Sequence, residues 1–182
     1  MAKHYDHINK KIQKFISEQK IFFVATATDQ SRINLSPKGM DSFRVIDDNR
    51  VMWLNLTGSG NETAAHLHAD GRITIMFCSF EGAPMILRLY GKGKVIHPRD
   101  KIWNESVALF PALAGTRQII DIKIDLVQTS CGMSIPYFDF KEERLQLDDW
   151  AKGKGQEGIK AYWKEKNEQS IDGIPTKIQE GY

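Results

Sequence analysis

Leu56-Thr57-Gly58-Ser59-Gly60-Asn61-Glu62-Thr63-Ala64-Ala65-His66-Leu67 is the stretch on which the fold turns. It leaves a strand-like run over residues 50–56, crosses two glycines and several short polar residues, and becomes Ala-rich and helix-like. Backbone N–H groups and a helix dipole converge at such a corner, which suits an anion and above all a phosphate. A plain helix start fits the same residues. Ser59 and Glu62 have the S-x-x-E spacing of a capping box, in which two orphan N–H groups are satisfied internally. As a dinucleotide fingerprint the stretch is poor, because Thr63 stands in the place of the third glycine and the flanking strands read as antiparallel. As a nucleophile elbow it fails at Thr57, where G-x-S-x-G needs its first glycine.

The flanks favour a barrel. Residues 21–28 are rich in β-formers, a turn follows at Asp29-Gln30-Ser31, and a second extended run covers residues 32–36, so the pair reads as a hairpin. Pro37 and Gly39 interrupt that second strand, which marks an edge, bulge or bend around Lys38. Residues 43–46 and 50–56 form another hairpin about Asp47-Asp48-Asn49. Downstream, residues 72–80 read as a buried strand and 85–96 as a long one, with Gly91 and Gly93 on one face where something approaches closely or the strand bends. Ile120, Ile122, Ile124 and Leu126 alternate with Asp121, Lys123 and Asp125, the cleanest period-two signal in the chain and a strand with one wet face. Strands joined by short turns predict a mainly β fold, an antiparallel barrel, rather than a doubly wound sheet.

Helices flank it. Ile8, Ile12, Phe15 and Ile16 recur at helical spacing, His97-Pro98-Arg99-Asp100 opens a helix carrying Trp103, Val107 and Phe110, and two helices are expected around 142–151 and 156–166. Between barrel and last helices, residues 131–138 read as an irregular aromatic loop, and residues 170–182 as a non-helical tail. The expected division is a barrel over 1–135 and a helical extension over 136–182, packed on it as a single structural unit.

Composition narrows the classes. Of 182 residues, 41% are hydrophobic and 26% charged, enough apolar material for one cored domain. A formal net charge of +2 excludes the basic field that drives nucleic-acid binding. Cys78 and Cys131 match no metal spacing, no apolar run reaches membrane-spanning length, and the first residues lack a signal peptide's apolar core, so a reduced, cytoplasmic protein is expected. His66 and His68, two apart on a helix, face different ways and share no metal. No triad or acid–base pair declares itself. The residues by themselves describe a phosphate-capable corner on a β-barrel.

Four blocks, Arg32-Ile33-Asn34-Leu35-Ser36-Pro37-Lys38-Gly39, residues 55–67, residues 72–80 and Leu87-Arg88-Leu89-Tyr90-Gly91-Lys92-Gly93, resemble in order and spacing the pyridoxamine 5′-phosphate oxidase-like flavoproteins. The likeness covers roughly residues 8–130, and Ser130-Cys131-Gly132-Met133-Ser134-Ile135-Pro136 and Ser170-Ile171-Asp172-Gly173-Ile174-Pro175 resemble one uncharacterised branch. The resemblance implies an FMN-binding split β-barrel, a homodimer with flavin between subunits, and an oxidoreductase drawing on a small-molecule substrate or reduced nicotinamide. It implies that the strand with Arg32, Asn34, Ser36 and Lys38 and the loop with Asn61 and Thr63 grip the phosphate and ribityl chain. Trp53, Leu54 and Asn55 would lie along the ring.

The chemistry suits those types. Lys38 is a point charge for a dianion, and Ser36, Asn61, Thr63, Asn34 and Asn55 offer hydrogen bonds to phosphate, ribityl hydroxyls or ring edge. Departures bear on the substrate. Glu62 and Thr63 stand where the oxidases proper carry an Arg-Lys pair, and Ile86 where they use a polar residue, so pyridoxamine phosphate is not the expected substrate. The loop over 131–138 is expected to close the cleft, Tyr137 and Phe138 lining it or joining the core. Alternatives are a non-catalytic flavin binder or sensor, and a barrel holding haem or the deazaflavin F420, with His97 the available haem ligand.

Overall fold

The computed structural model describes residues 2–180. In chain order the elements are β1 (Lys3–Tyr5), α1 (Lys10–Glu18), β2 (Phe22–Thr26), β3 (Asn34–Lys38), β4 (Phe43–Asp47), β5 (Arg50–Leu56), α2 (Glu62–Ala69), β6 (Arg72–Cys78), β7 (Ile86–Ile96), α3 (Trp103–Val107), β8 (Thr116–Ser130) and α4 (Gln146–Lys166). One antiparallel sheet runs in the order β3-β2-β6-β7-β8-β5-β4, with β1 added to β8. Its edges β3 and β4 do not pair, so the sheet curls without closing: the expected antiparallel split barrel.

β8 is the spine. On one side β7 pairs with it from Ile86↔Ser130 to Ile96↔Ile119, and on the other β5 covers its first half and β1 its second. Its alternation turns Ile120, Ile122 and Ile124 into the main core beside Trp53, Ile75 and Leu89. Lys123 and Asp125 are exposed, and Asp121 accepts from Arg50 Nε at 2.8 Å. The wet face holds for that half only. Toward its start Ile119 enters a second cluster with Met52, Leu54, Ile96 and Phe110, so β8 is covered there on both faces.

The two glycines of β7 serve packing. The β7–β8 register shifts between Tyr90 and Gly91, and a Cβ at Gly91 would lie 2.1 Å from the Lys123 carbonyl oxygen. At Gly93 it would lie 3.0 Å from Leu67 Cδ1, which is how closely α2 sits on this strand. What approaches that face is the protein itself.

α1 starts at Asn9, whose Oδ1 accepts from the Lys11 and Ile12 amides at 3.0 Å each, a cap worth about 1 kcal/mol. It buries Ile12, Phe15 and Ile16 against the barrel. Two expectations need correction. The helix read from His97 begins only at Trp103, because Asp100 turns back to accept from the His97 amide at 2.7 Å. Tyr137 and Phe138 are neither core nor cleft: they are 77% and 61% exposed, with Phe138 edge-on to Phe80. The two C-terminal helices form as expected, as halves of α4 separated where Gly155 takes a φ of 63°.

Trp163 of α4 packs with Ala151, Ile159 and Ile178 and donates from Nε1 to Thr57 Oγ1 at 2.8 Å. The tail is non-helical as expected, its last two residues lying outside the described range. Among the described residues no helix is long and apolar enough to cross a membrane.

Candidate functional site

β3 is an edge strand, which is why Pro37 can sit inside it without costing a ladder bond. Period two turns Asn34, Ser36 and Lys38 toward the fold, and leaves Leu35 and Pro37 exposed. Asn34 Nδ2 reaches Thr63 Oγ1 at 3.2 Å and Thr26 Oγ1 at 3.3 Å. Thr26 Oγ1 in turn meets His66 Nδ1 at 3.0 Å, which ties β3, β2 and α2 together.

Lys38 reaches over the Trp53 ring, its Nζ 5.0 Å from the centroid. Burial, and then the positive charge of Arg117, push Lys38 down to about 8. It belongs to a cleft of about 420 Å³ walled by Trp53, Leu54 and Asn55 from β5, Thr57 and Gly58 from the corner, and Glu142, Arg144 and Leu147. That volume falls within the range of small-molecule sites. The segment before α4 closes the cleft; the 131–138 loop expected to do so is not among its lining residues.

Asn55 and Gln118 are direct cross-strand partners, and Asn55 Nδ2 donates to Gln118 Oε1 at 3.2 Å. Both are buried, and Gln118 Nε2 has no partner among the described residues.

The corner loop is pinned through one hydroxyl and two of its carbonyls. Thr57 Oγ1 donates to Gly115 O at 2.8 Å, Asn167 Nδ2 to Gly58 O at 3.1 Å and Arg117 Nη1 to Gly60 O at 3.0 Å. The capping box does not form. Asn61 is the N-cap, without a side-chain cap bond, and the Glu62 carboxylate accepts from the Ile171 amide at 3.1 Å. A tertiary donor on the tail outcompetes Ser59, and Glu62 thereby faces away from the cleft wall. The first-turn amides of α2 keep the unsatisfied state of an uncapped helix.

The residues named from sequence divide. Asn34 and Thr63 meet, and Lys38, Trp53, Leu54 and Asn55 share the cleft. Ser36 lies between Asn34 and Lys38 on the same side of β3. Asn61 is buried and donates from Nδ2 to Asn167 O at 3.4 Å. Arg32 stands apart, exposed and paired with Asp172, whose Oδ2 also accepts from the Arg32 amide at 2.8 Å. That amide first, and then the guanidinium, hold the Asp172 carboxyl below its usual value.

Arg117 and Gln118 escape a reading of the sequence. Gln118 shares parity with Ile120, Ile122 and Ile124, so a polar residue in the inward stripe was the available signal. Arg117 had none, because its surroundings come from the tail.

His97 is buried and is not among the residues lining the cleft, with Nε2 at 3.4 Å from His68 Nε2. Burial first, then Arg99 and His68, push it down to about 4. The unfolded chain takes up a proton near pH 6.5, so His97 leaves stability intact above 6.5 and removes it as pH falls toward 4, by at most about 3 kcal/mol. Urea midpoints at pH 7 and pH 4.5 are expected to differ less in His97→Asn than in the parent. An equal difference would assign the acid sensitivity elsewhere.

Cys78 is buried and Cys131 exposed, both free, and among the described residues no cluster of three or more metal-ligating side chains occurs.

Compared with known proteins, residues 8–131 match the family described as pyridoxamine 5′-phosphate oxidase. The Aspergillus flavus protein named pyridoxamine 5′-phosphate oxidase family protein ustO is 34% identical over 189 residues, 94% of this chain and 76% of its own. HupZ from Group A Streptococcus aligns with a TM-score of 0.53 at 19% identity, over 65% of this chain and 91% of that one. A candidate pyridoxamine 5′-phosphate oxidase from Lactobacillus delbrueckii gives 0.54 at 14% identity, over 68% and 94%. At such identities the structures share a fold.

Proposed function

The chain belongs to the pyridoxamine 5′-phosphate oxidase family, and on that premise we propose that it is an FMN-binding oxidoreductase. The observation that carries this is Lys38, a cation turned into the fold, without an anion and laid over the Trp53 ring in a cleft of about 420 Å³. A lysine so placed calls for a negative ligand, and the flat apolar wall beside it calls for a ring. Behind that wall Gln118 Oε1 accepts from Asn55 Nδ2 at 3.2 Å, which holds the Asn55 side chain in place.

The residues fit the group. Lys38 and Ser36 would meet the phosphate, Asn34 and Thr63 the ribityl chain, and Trp53, Leu54 and Asn55 the ring. Asn61 and Arg32 act through the tail: Asn61 is joined to Asn167 and Arg32 to Asp172, so both position the corner. A bound flavin would supply the redox chemistry, and this chain's part is to orient it, keep water from one face and tune it by hydrogen bonds.

A homodimer belongs to the same proposal. Ile33, just before β3, and Leu35 on its outer side are 78% and 65% exposed, an apolar edge that a second copy would cover. Sedimentation of the purified protein tests it, and a monomer at micromolar concentration would remove it.

The purified protein is expected to absorb in the visible with a flavin spectrum and to release FMN on denaturation. A colourless protein that takes up no added FMN would overturn the proposal, and so would a released haem or deazaflavin. Reduction of the bound chromophore by a reduced nicotinamide would favour an enzyme over a flavin store.

A further inference from the structure

We infer that His66 is a positioning residue of the cofactor site, acting through Thr26 to decide which end of the Asn34 amide faces the ligand. It holds the amide nitrogen inward and leaves the oxygen free for a ligand hydroxyl. That the hydroxyl belongs to a ribityl chain rests on the FMN reading; the direction of the relay does not.

The relay runs through β2, β3 and α2. Thr26 and Asn34 are direct cross-strand partners, and Thr63 and His66 stand one turn apart on the side of α2 that meets them. Thr26, Thr63 and His66 are all buried.

Donors and acceptors fix its direction. An amide nitrogen only donates, and Asn34 Nδ2 spends its two hydrogens on Thr26 Oγ1 at 3.3 Å and Thr63 Oγ1 at 3.2 Å. Among the described residues Thr26 Oγ1 has one other partner, His66 Nδ1 at 3.0 Å. The threonine proton therefore goes to Nδ1, and the imidazole hydrogen sits on Nε2. Nε2 is buried without a partner, a cost this tautomer carries. The other tautomer would donate from Nδ1 to Thr26 and strand the hydroxyl proton, unless the Asn34 amide turned round to accept it. Tautomer and amide thus turn together: Nε2–H goes with the oxygen outward, Nδ1–H with the nitrogen outward.

Asn34 Oδ1 accepts from none of the described residues and is not among their enclosed atoms. Thr63 Oγ1 takes a hydrogen from Asn34 and keeps its own proton to give. An open carbonyl oxygen beside a hydroxyl donor matches a ligand hydroxyl, which donates to the first and accepts from the second. It does not match an ionised phosphate, which only accepts. Asn34 lies on the same side of β3 as Lys38, two strand repeats away, so the polyhydroxyl part of the ligand belongs at that end of the strand.

The rival role for His66 is core packing, and ligands separate the two. His66→Phe is expected to weaken riboflavin at least about fivefold, while lumiflavin, which has the ring and no ribityl hydroxyls, changes less than about twofold. Equal losses for both would reduce His66 to a core residue and overturn the proposal. His66→Asn brings an acceptor oxygen to the place of Nδ1 and is expected to hold riboflavin within about threefold of the parent. A loss as large as that of His66→Phe overturns the proposal. Should His66→Phe fail to fold, Thr26→Val breaks the same relay from β2 and is expected to show the same loss confined to riboflavin; its absence overturns the proposal.

The ring nitrogen chemical shifts of His66 in the ligand-free protein provide a readout that needs no flavin. Nε2 is expected to carry the hydrogen and Nδ1 none, and a hydrogen on Nδ1 would overturn the proposal. The Nε2–H form in a protein that takes up no flavin would sink the FMN reading and leave the relay standing, its Asn34 oxygen turned to another polyhydroxyl ligand.

Discussion

Gly91→Ala is expected to yield no folded protein. The new Cβ would lie 2.1 Å from the Lys123 carbonyl oxygen, 2.9 Å from its carbon and 3.1 Å from Ile124 Cα. All three are backbone atoms of β8, so relief requires parting β7 from β8 at the place where their register shifts. Overpacking that no rotamer can relieve costs upwards of about 4 kcal/mol, a large part of the roughly 5–15 kcal/mol by which a domain is stable. Gly153→Ala is the control. It sits in α4 with no atom within 4 Å of the added carbon, and is expected to stabilise by up to about 1 kcal/mol. Recovery of soluble protein and urea midpoints check both. A Gly91→Ala protein melting near the parent would mean that the bulge can slide to a neighbouring residue.

Lys38→Met is expected to move affinity and stability in opposite directions. The methionine keeps an apolar stem over Trp53 and removes the ammonium, so FMN is expected to bind about 30- to 100-fold more weakly, the worth of one charged hydrogen bond to phosphate. The ligand-free protein should hold its stability or gain some, because a largely buried, unpaired charge is gone. Loss of packing alone would lower both. The pH dependence carries the same sign. In the ligand-free parent Lys38 holds its proton below about 8, so FMN affinity should be full at pH 7 and fall by at most about tenfold per unit above 8. Stability runs the other way: the folded state resists protonation, and the penalty disappears as pH rises from about 8 toward 10.4. Fluorescence titration of FMN at pH 7, 8 and 9 reads the first, and thermal melts over the same range the second. A flat affinity profile in the parent would take Lys38 out of the phosphate site.

Most of the sheet was legible because its strands announce themselves locally. The alternation from Ile120 to Ile124, the hairpin turns at Asp29-Gln30-Ser31 and Asp47-Asp48-Asn49, and the edge character imposed by Pro37 are short-range properties, and each appears where it was read; the register shift opposite Leu126 then moves the inward side to Val127. The capping box was equally local and did not form. Its Glu62 found the Ile171 amide, 109 residues on, and a preference among near neighbours cannot foresee a competitor that far along the chain. The lining aromatics failed for the same reason: nothing in Tyr137-Phe138 tells a reader whether a distant surface will meet them.

Sequence alone determined the antiparallel barrel, the hairpin whose second strand carries Asn34 and Ser36, and the strand–loop–helix corner. Periodicity and turn chemistry act within a few residues, so they survive without knowledge of the rest of the molecule. Tertiary structure decided what the corner faces. The tail from Asn167 to Ile178 joins it, pairing Asp172 with Arg32, Ile171 with Glu62 and Asn167 with Arg117. Burial, which depends on every element at once, leaves Lys38 a cation without an anion over the Trp53 ring.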